Sequence, residues 1–180
     1  MEIKMFYYLK EKNAKPLQTD VLVIPFGSNA RSLALLAPTS EWVRENKAYA
    51  HLISSDEVVK KSATFVDSTP VAKFTFFIKH LSGSSIHALV TTCLEFAIEK
   101  NCAMIDMPLF TANGFKAMDD RVIMKTMIKA CNEFAKKHEH DAASLEISFI
   151  LDTTQQDLAV FCASKGIQYS GRQEQGQFKR

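Results

Sequence analysis

Three short runs with few polar residues place the strongest restriction on how this chain can fold. They are residues 20–27 (DVLVIPFG), 103–107 (AMIDM) and 145–151 (LEISFIL). A strand that lacks regular polar alternation is typical of a parallel sheet covered on both faces. We therefore expect these three strands to be central and adjacent, in an α/β protein built of layers.

Strand and helix patterns alternate along the rest of the chain. Further strands are predicted at 2–9, 63–67, 72–80 and 167–170. Helices are predicted at 30–37, 86–101, 119–137 and 155–165, another helix is expected to begin at residue 39 or 40, and 55–61 is expected to form one helical turn. In the first strand Ile3, Met5, Tyr7 and Leu9 share one face, which predicts a half-buried strand. The order predicts a three-layer sandwich, with a mixed, mostly parallel sheet and helices on both faces.

Several single residues mark where these elements are expected to end. Pro25 lacks a backbone donor, which predicts that pairing of the second strand stops there. Asp119 and Asp120 supply an acidic first turn to the helix that follows them. Asp152 or Thr153 is expected to cap the last helix, which the glycine at position 166 ends.

The composition is that of one ordinary globular domain. The chain has 180 residues, of which 47% are apolar and 23% charged, and we expect a single domain over 1–170 followed by a disordered tail, 171–180. A net charge of +2 gives no reason to expect nucleic acid as a partner. No apolar run reaches the length of a membrane span, and charges interrupt the first residues, so a cytoplasmic protein is expected.

The cysteines and histidines show no spacing typical of a metal site or a disulfide framework. The four cysteines are Cys93, Cys102, Cys131 and Cys162, each in an apolar pattern of a different element. They are expected to be buried, reduced thiols. No metal and no cofactor is expected, and the chain lacks a Rossmann glycine fingerprint, a P-loop, a nucleophile elbow and an HExxH motif.

A small polar loop joins the strand at 103–107 to the helix at 119–137, and it is the main candidate for a ligand site. In open α/β sheets, ligands bind beyond the carboxyl ends of strands, where loop N–H groups lie near a helix N-terminus. Thr111–Phe115 has this position and contains the turn pair Asn113-Gly114. A phosphate or another anion fits there, although such a pair also serves as a purely structural turn.

The same loop resembles the second phosphate-binding loop of the macro domain family. That loop begins after a proline, here Pro108, and runs through a Thr-Gly-hydrophobic-aromatic-Gly stretch, over which residues 112–116 lie without a gap. Phe115 matches the aromatic residue. Asn113 and Lys116 stand where the family has glycines, and Asn also accepts positive φ.

The first family loop carries an Asn-Ala-Ala-Asn motif and a glycine run, and here only part of it is present. Ser28 and Asn29 follow the strand at 20–27, so Asn29 is the candidate binding or catalytic asparagine, with a helix cap as the alternative. Residues 31–35 (RSLAL) replace the glycine run. Glu11 stands about where the family has an acidic residue that contacts adenine; a solvated loop charge is the alternative.

The resemblance covers roughly residues 2–170 and identifies a divergent or degenerate member of the family. It implies binding of an ADP-ribose-like nucleotide, free or on an ADP-ribosylated protein. The ligand-binding residues that it implies are Glu11, Ser28, Asn29, Thr111, Ala112, Asn113, Gly114 and Phe115. Two alternatives stay open: a protein-interaction scaffold that has lost the pocket, and an ADP-ribosyl hydrolase in which Asn29 orients a water. Binding ranks first, since one anion loop can hold a phosphate but rarely completes a catalytic site.

Overall fold

The computed structural model describes residues 3–11, 14, 16–26, 58–61, 72–79, 86–110 and 119–172. Seven strands and four helices lie in these ranges. The strands are β1 (Lys4–Lys10), β2 (Thr19–Phe26), β3 (Val58–Lys61), β4 (Ala72–Lys79), β5 (Met104–Pro108), β6 (Glu146–Asp152) and β7 (Gln168–Tyr169). The helices are α1 (Ile86–Glu99), α2 (Asp120–Lys137), α3 (Glu139–Ala142) and α4 (Gln156–Ser164).

The described strands form one sheet in the order β3-β4-β2-β5-β6-β1-β7. All neighbouring pairs are parallel except β3 and β4, which are antiparallel. The mixed, mostly parallel sheet predicted from the sequence is therefore confirmed. The central and adjacent position of β2, β5 and β6 is confirmed as well.

One face of the sheet carries the hydrophobic core. Alternate strand residues, among them Val21, Ile105 and Phe149, are fully buried there with side chains of α1, α2 and α4. The ring of Phe96 in α1 meets the Phe76 ring edge-on, with 4.1 Å between their centroids. Burial of these side chains is the main favourable contribution to folding. The helices predicted at 30–37 and from 39 or 40 lie outside the described residues.

The opposite face of the sheet is also buried, and it is more polar. Its buried side chains include Tyr8, Lys10, Thr75, Asp106 and Ser148. Leu17, in the connection between β1 and β2, is buried, and its N–H donates to the Tyr8 hydroxyl at 3.3 Å. The predicted inner face of β1 is confirmed, since Met5, Tyr7 and Leu9 pack half-buried against the core, but Tyr8 and Lys10 on its other face are buried as well.

Two predicted local features differ from the structure. The expected helical turn at 55–61 is wrong, because 58–61 form strand β3 and complete the ladder of β4. Its sequence, VVKK, begins with β-branched residues that suit a strand. Pairing of β2 with β4 also continues through Pro25 to Phe26. A proline removes one donor but leaves its carbonyl and its neighbours' groups to pair. The strand predicted at 63–67 lies outside the described residues.

Three helix ends were predicted from single residues: the start of α2, the end of α4 and the start of α4. The structure agrees with the first two. The Asp119 carboxylate caps α2 by accepting from the Arg121 N–H at 2.8 Å. Gly166 follows α4 with a φ of +80°, a conformation that glycine adopts without strain. Asp152 does not cap α4; its carboxylate accepts from the Thr154 N–H at 3.0 Å and shapes the turn before the helix. In the described part of the chain, no helix is both long enough and apolar enough to cross a membrane.

The Asp20 carboxylate connects β2 to the start of β5, and its removal should be destabilising. One of its oxygens accepts from the N–H groups of Ala103 and Met104, at 2.8 and 3.1 Å. Asp20→Ala removes two hydrogen bonds to a charged acceptor, so we expect a loss of about 1–3 kcal/mol in the free energy of unfolding. Urea denaturation measures it. Glu95→Ala, at an exposed position of α1, is the control and should change stability by less than about 0.5 kcal/mol.

All four cysteines are buried and unpaired, as predicted. Burial raises the pKa of the Cys131 thiol to about 12 and that of Cys162 to about 11. Such thiols stay protonated and poorly reactive at neutral pH, because the thiolate is the nucleophile. We expect a thiol reagent to react slowly with the native protein and to report four thiols after denaturation under non-reducing conditions. Recovery of two thiols would contradict this.

Candidate functional site

The carboxyl ends of five parallel strands meet at one edge of the sheet. These are the ends of β1, β2, β4, β5 and β6, at Lys10, Phe26, Lys79, Pro108 and Asp152. Because β2 and β5 are neighbours in the sheet, the segments that follow these two strands begin side by side at this edge. The segments that follow contain Ser28 and Asn29 after β2, and Thr111, Ala112, Asn113, Gly114 and Phe115 after β5. These seven candidate residues lie outside the described residues, while the strand ends that carry them lie within.

Glu11, the eighth candidate, lies at this same edge with an exposed side chain. Its backbone carbonyl accepts from the ammonium group of the buried Lys10 at 2.8 Å and from the Ala14 N–H at 3.2 Å. The carbonyl of Lys10 in turn accepts from the Thr153 N–H at 3.2 Å. The chain around Glu11 is thus joined to the turn between β6 and α4, which places its carboxylate at the rim of the edge.

The turn after β6 is held to the start of α2 by one side chain. The amide oxygen of Gln155 accepts from the Asp152 N–H at 2.9 Å, and its amide nitrogen donates to the Asp120 carboxylate at 3.3 Å. Gln155 therefore fixes the distance between the two helix N-termini that face this edge.

A cleft of about 440 Å³ lies between these helix N-termini, and its lining is acidic. Asp119, Asp120 and Asp157 contribute carboxylates to it, against the single guanidinium of Arg121. The Asp119 carboxylate already neutralises part of the positive end of α2 as its cap. An anion at this edge would therefore depend on loop N–H groups rather than on the field of α2.

The end of β5 is anchored before the segment at 111–118 begins. Leu109 and Phe110 are almost fully buried, and the Phe110 N–H donates to the Met127 sulfur at 3.4 Å. Met127 lies on α2, so this contact fixes where the segment starts relative to the helix that follows it.

Sequence reasoning missed a buried cluster around Asp106 in the middle of β5. Its carboxylate is 1% exposed and accepts from the Thr19 hydroxyl at 3.0 Å and from the Arg172 guanidinium at 2.7 Å. The Tyr8 hydroxyl is hydrogen-bonded to it as well. The cluster joins β1, β2 and β5, the strands that lead to all eight candidate residues. A single carboxylate inside an apolar strand was the signal available in the sequence.

Burial raises the pKa of Asp106 to about 6, although Arg172 and the hydrogen bonds from Thr19 and Tyr8 act to lower it. Its pKa in the folded protein is thus above the ordinary value of 3.8. The folded protein then binds this proton more tightly than the unfolded chain does. By linkage, the contribution of this group to stability is present below pH 3.8 and is lost as the pH rises through about 6.

Arg172 holds the last described residues against the sheet. Besides the bond to Asp106, its guanidinium donates to the Gln18 carbonyl at 2.7 Å and lies 5.6 Å from the centre of the Tyr8 ring. A disordered tail was expected from residue 171, but Arg172 is in contact with the sheet, and 173–180 lie outside the described residues.

A second cleft, of about 310 Å³, opens at the amino edge of the sheet. Its lining includes Asn101, Cys102, His140 and Asp141. Burial raises the pKa of the Cys102 thiol, which makes it a weak nucleophile. Within the described ranges, no three His, Cys, Asp or Glu residues are grouped so as to hold a metal ion.

Comparison with known proteins finds the same fold in solved structures. No family model and no curated protein matches the chain. The macro domain of ganglioside induced differentiation associated protein 2 is 11% identical, with 88% of this chain and 82% of that one covered and a TM-score of 0.61. The Trypanosoma brucei macrodomain in complex with ADP-ribose is 10% identical, with 89% and 69% covered and a TM-score of 0.61. The Oceanobacillus iheyensis macrodomain with ADP is 13% identical, with 88% of each chain covered and a TM-score of 0.57. These likenesses show that the chain has a macrodomain-like fold.

Proposed function

We propose that this protein binds an ADP-ribose-like nucleotide at the carboxyl edge of the sheet. The observation that carries the proposal is the adjacency of β2 and β5 in a macrodomain-like sheet. Two neighbouring parallel strands deliver their following loops to one place, where open α/β sheets bind ligands. The loop after β2 contains Asn29, and the loop after β5 contains the Asn113-Gly114 pair.

The chemistry at this edge favours a ligand that combines phosphate with a base. The backbone N–H groups of Thr111–Phe115 would hold the diphosphate, because a polar turn can direct several N–H groups at one anion. Phe115 would pack against a ribose or the base. Glu11, exposed at the rim, would accept a hydrogen bond from the amino group of adenine.

The solved structures support the class of ligand. Macrodomains from Trypanosoma brucei and Oceanobacillus iheyensis have been crystallised with ADP, and the former also with ADP-ribose. Since residues 31–35 replace the glycine run of the family, contacts to the second ribose are expected to be weaker here. Binding without turnover therefore fits this chain better than hydrolysis, which requires closely placed donors.

Calorimetric titration with ADP-ribose tests the proposal directly. We expect the wild type to bind with a dissociation constant below about 1 mM, which corresponds to about −4 kcal/mol. Gly114→Val should abolish this binding, because a β-branched side chain restricts the backbone of the expected Asn113-Gly114 turn, whose N–H groups would hold the phosphate. It should alter the unfolding midpoint little, since the turn is expected at the surface.

The matched control is another glycine of the chain. At Gly171 an added Cβ would meet no other atom within 4 Å, so Gly171→Ala should leave the titration unchanged. If neither ADP-ribose nor AMP, ADP or ATP binds the wild type at millimolar concentration, the binding proposal is wrong and the scaffold hypothesis survives.

The acidic cleft should weaken anion binding, and its charge can be reduced without unfolding α2. Asp119→Asn keeps a good capping side chain, and Asp120→Asn keeps an acceptor for Gln155. We expect the double variant to bind ADP-ribose several-fold more tightly in about 20 mM salt, because two repulsive charges are gone. The gain should disappear near 1 M salt, where the screening length is about 3 Å.

Asp157→Asn is the charge control for this experiment. Asp157 lines the same cleft but belongs to α4, whereas Asp119 and Asp120 follow the segment at 111–118 directly in the sequence. Its replacement should change affinity less than the double variant does. An equal gain from both would mean that the ligand senses only the overall charge of the protein.

A further inference from the structure

A strap, residues 168–172, follows α4 and is docked on the sheet mainly by polar contacts. Its strand β7 has only two residues, paired with Phe6 and Tyr7 of β1, and both of its residues are exposed. The Ser170 N–H donates to the Tyr7 carbonyl at 2.7 Å. The only large apolar side chain of the strap, Tyr169, is 62% exposed although its ring meets that of Tyr7 edge-on.

A strap with so little buried apolar surface is expected to depend on its polar anchor. A two-residue edge ladder contributes little, and segments of this kind open locally long before a protein unfolds. The anchor is Arg172, whose guanidinium reaches the Asp106 carboxylate at 2.7 Å across 66 residues of sequence. We propose that this ion pair is a latch that keeps the strap docked while Asp106 is ionised and releases it when Asp106 takes up a proton.

Arg172 is the most exposed member of the Asp106 cluster. The Arg172 side chain is 23% exposed, so it lies at the margin of the cluster with a path to water. Asp106 keeps its contacts with Tyr8 and Thr19, which are 4% and 5% exposed and hydrogen-bonded to it. Opening therefore removes the positive charge that acts to lower the pKa of Asp106, while Tyr8 and Thr19 keep their hydrogen bonds to the carboxyl group.

Among the described residues, Asp106 has Arg172 as its only charged partner. From β1 it meets Tyr8, whose own pKa burial raises well above 10.0, so this hydroxyl stays neutral. From β2 it meets Thr19, and its neighbour on β6 is Ser148, both without charge. The raised pKa of Asp106, about 6, places the change of its charge closer to neutral pH than the ordinary carboxyl value of 3.8.

The latch predicts a quantitative link between two measurements. Closure by Arg172 favours the ionised carboxylate, so loss of Arg172 should raise the pKa of Asp106. Coupling between two sites is reciprocal, so protonation must weaken closure by the same factor. Each unit by which Arg172→Gln raises the pKa of Asp106 then corresponds to a tenfold loss of strap docking on protonation.

The test uses the full chain and two NMR observations on the same samples. The carbon shift of the Asp106 carboxyl group gives its pKa, and hydrogen exchange at the Ser170 amide, corrected for the intrinsic rate, gives docking. In the wild type, protection of Ser170 should fall as the pH drops through the Asp106 titration. Asp106→Asn should show low protection at every pH, and Arg172→Gln should show low protection with a raised pKa.

Asp20→Asn is the matched control, because Asp20 is a carboxylate on the neighbouring strand β2 whose partners are Ala103, Met104 and Lys73 rather than Arg172. It should keep the wild-type pH dependence at Ser170. The proposal is wrong if Ser170 protection stays constant through the Asp106 titration, if protection rises on protonation, or if Arg172→Gln fails to raise the pKa. Should Asp106→Asn not fold, the wild type and Arg172→Gln decide the question alone.

Discussion

The parallel pairing of β2, β5 and β6 is the constraint on which the rest of the structure depends. Parallel neighbours require crossover connections, and here α1 and α2 provide those into β5 and β6. These helices bury the Val21, Ile105 and Phe149 face of the sheet. The same pairing brings the carboxyl ends of five strands to one edge. The location of the candidate site is thus a consequence of how the core is buried.

The elements of the second half of the chain could be predicted because their signals are local. The stripe that includes Ile123, Met127 and Phe134 marks α2, and all three side chains are buried in the structure. Asp119 and Gly166 act at helix ends within a few residues of themselves. The resemblance to macro domains also depended on the order of elements, and the solved structures agree with it at the level of the fold.

The features that could not be predicted depend on contacts between distant parts of the chain. The hydrogen bond from Thr19 to Asp106 spans 87 residues, and nothing beside either residue marks it. Strand β3 is too short for a periodic pattern, and β4 determines its conformation by pairing. Buried Tyr8 and Lys10 look like exposed positions of an alternating strand until the opposite face is known to be covered. The candidate loops, judged from motifs alone, stay predictions.

The two faces of the sheet contribute differently to the candidate site. Apolar packing on the core face is tolerant, because side chains of similar volume can replace one another. The Asp106 cluster is more demanding, because a buried carboxylate needs each of its partners at hydrogen-bond distance. Those partners, Tyr8 and Thr19, belong to the strands that lead to Glu11 and to Asn29, and Asp106 itself precedes the segment with Asn113-Gly114. One carboxyl group therefore ties the three strands together within the sheet, at Tyr8 near the carboxyl end of β1 and at Thr19 at the amino end of β2, and the relative position of these strands depends on it.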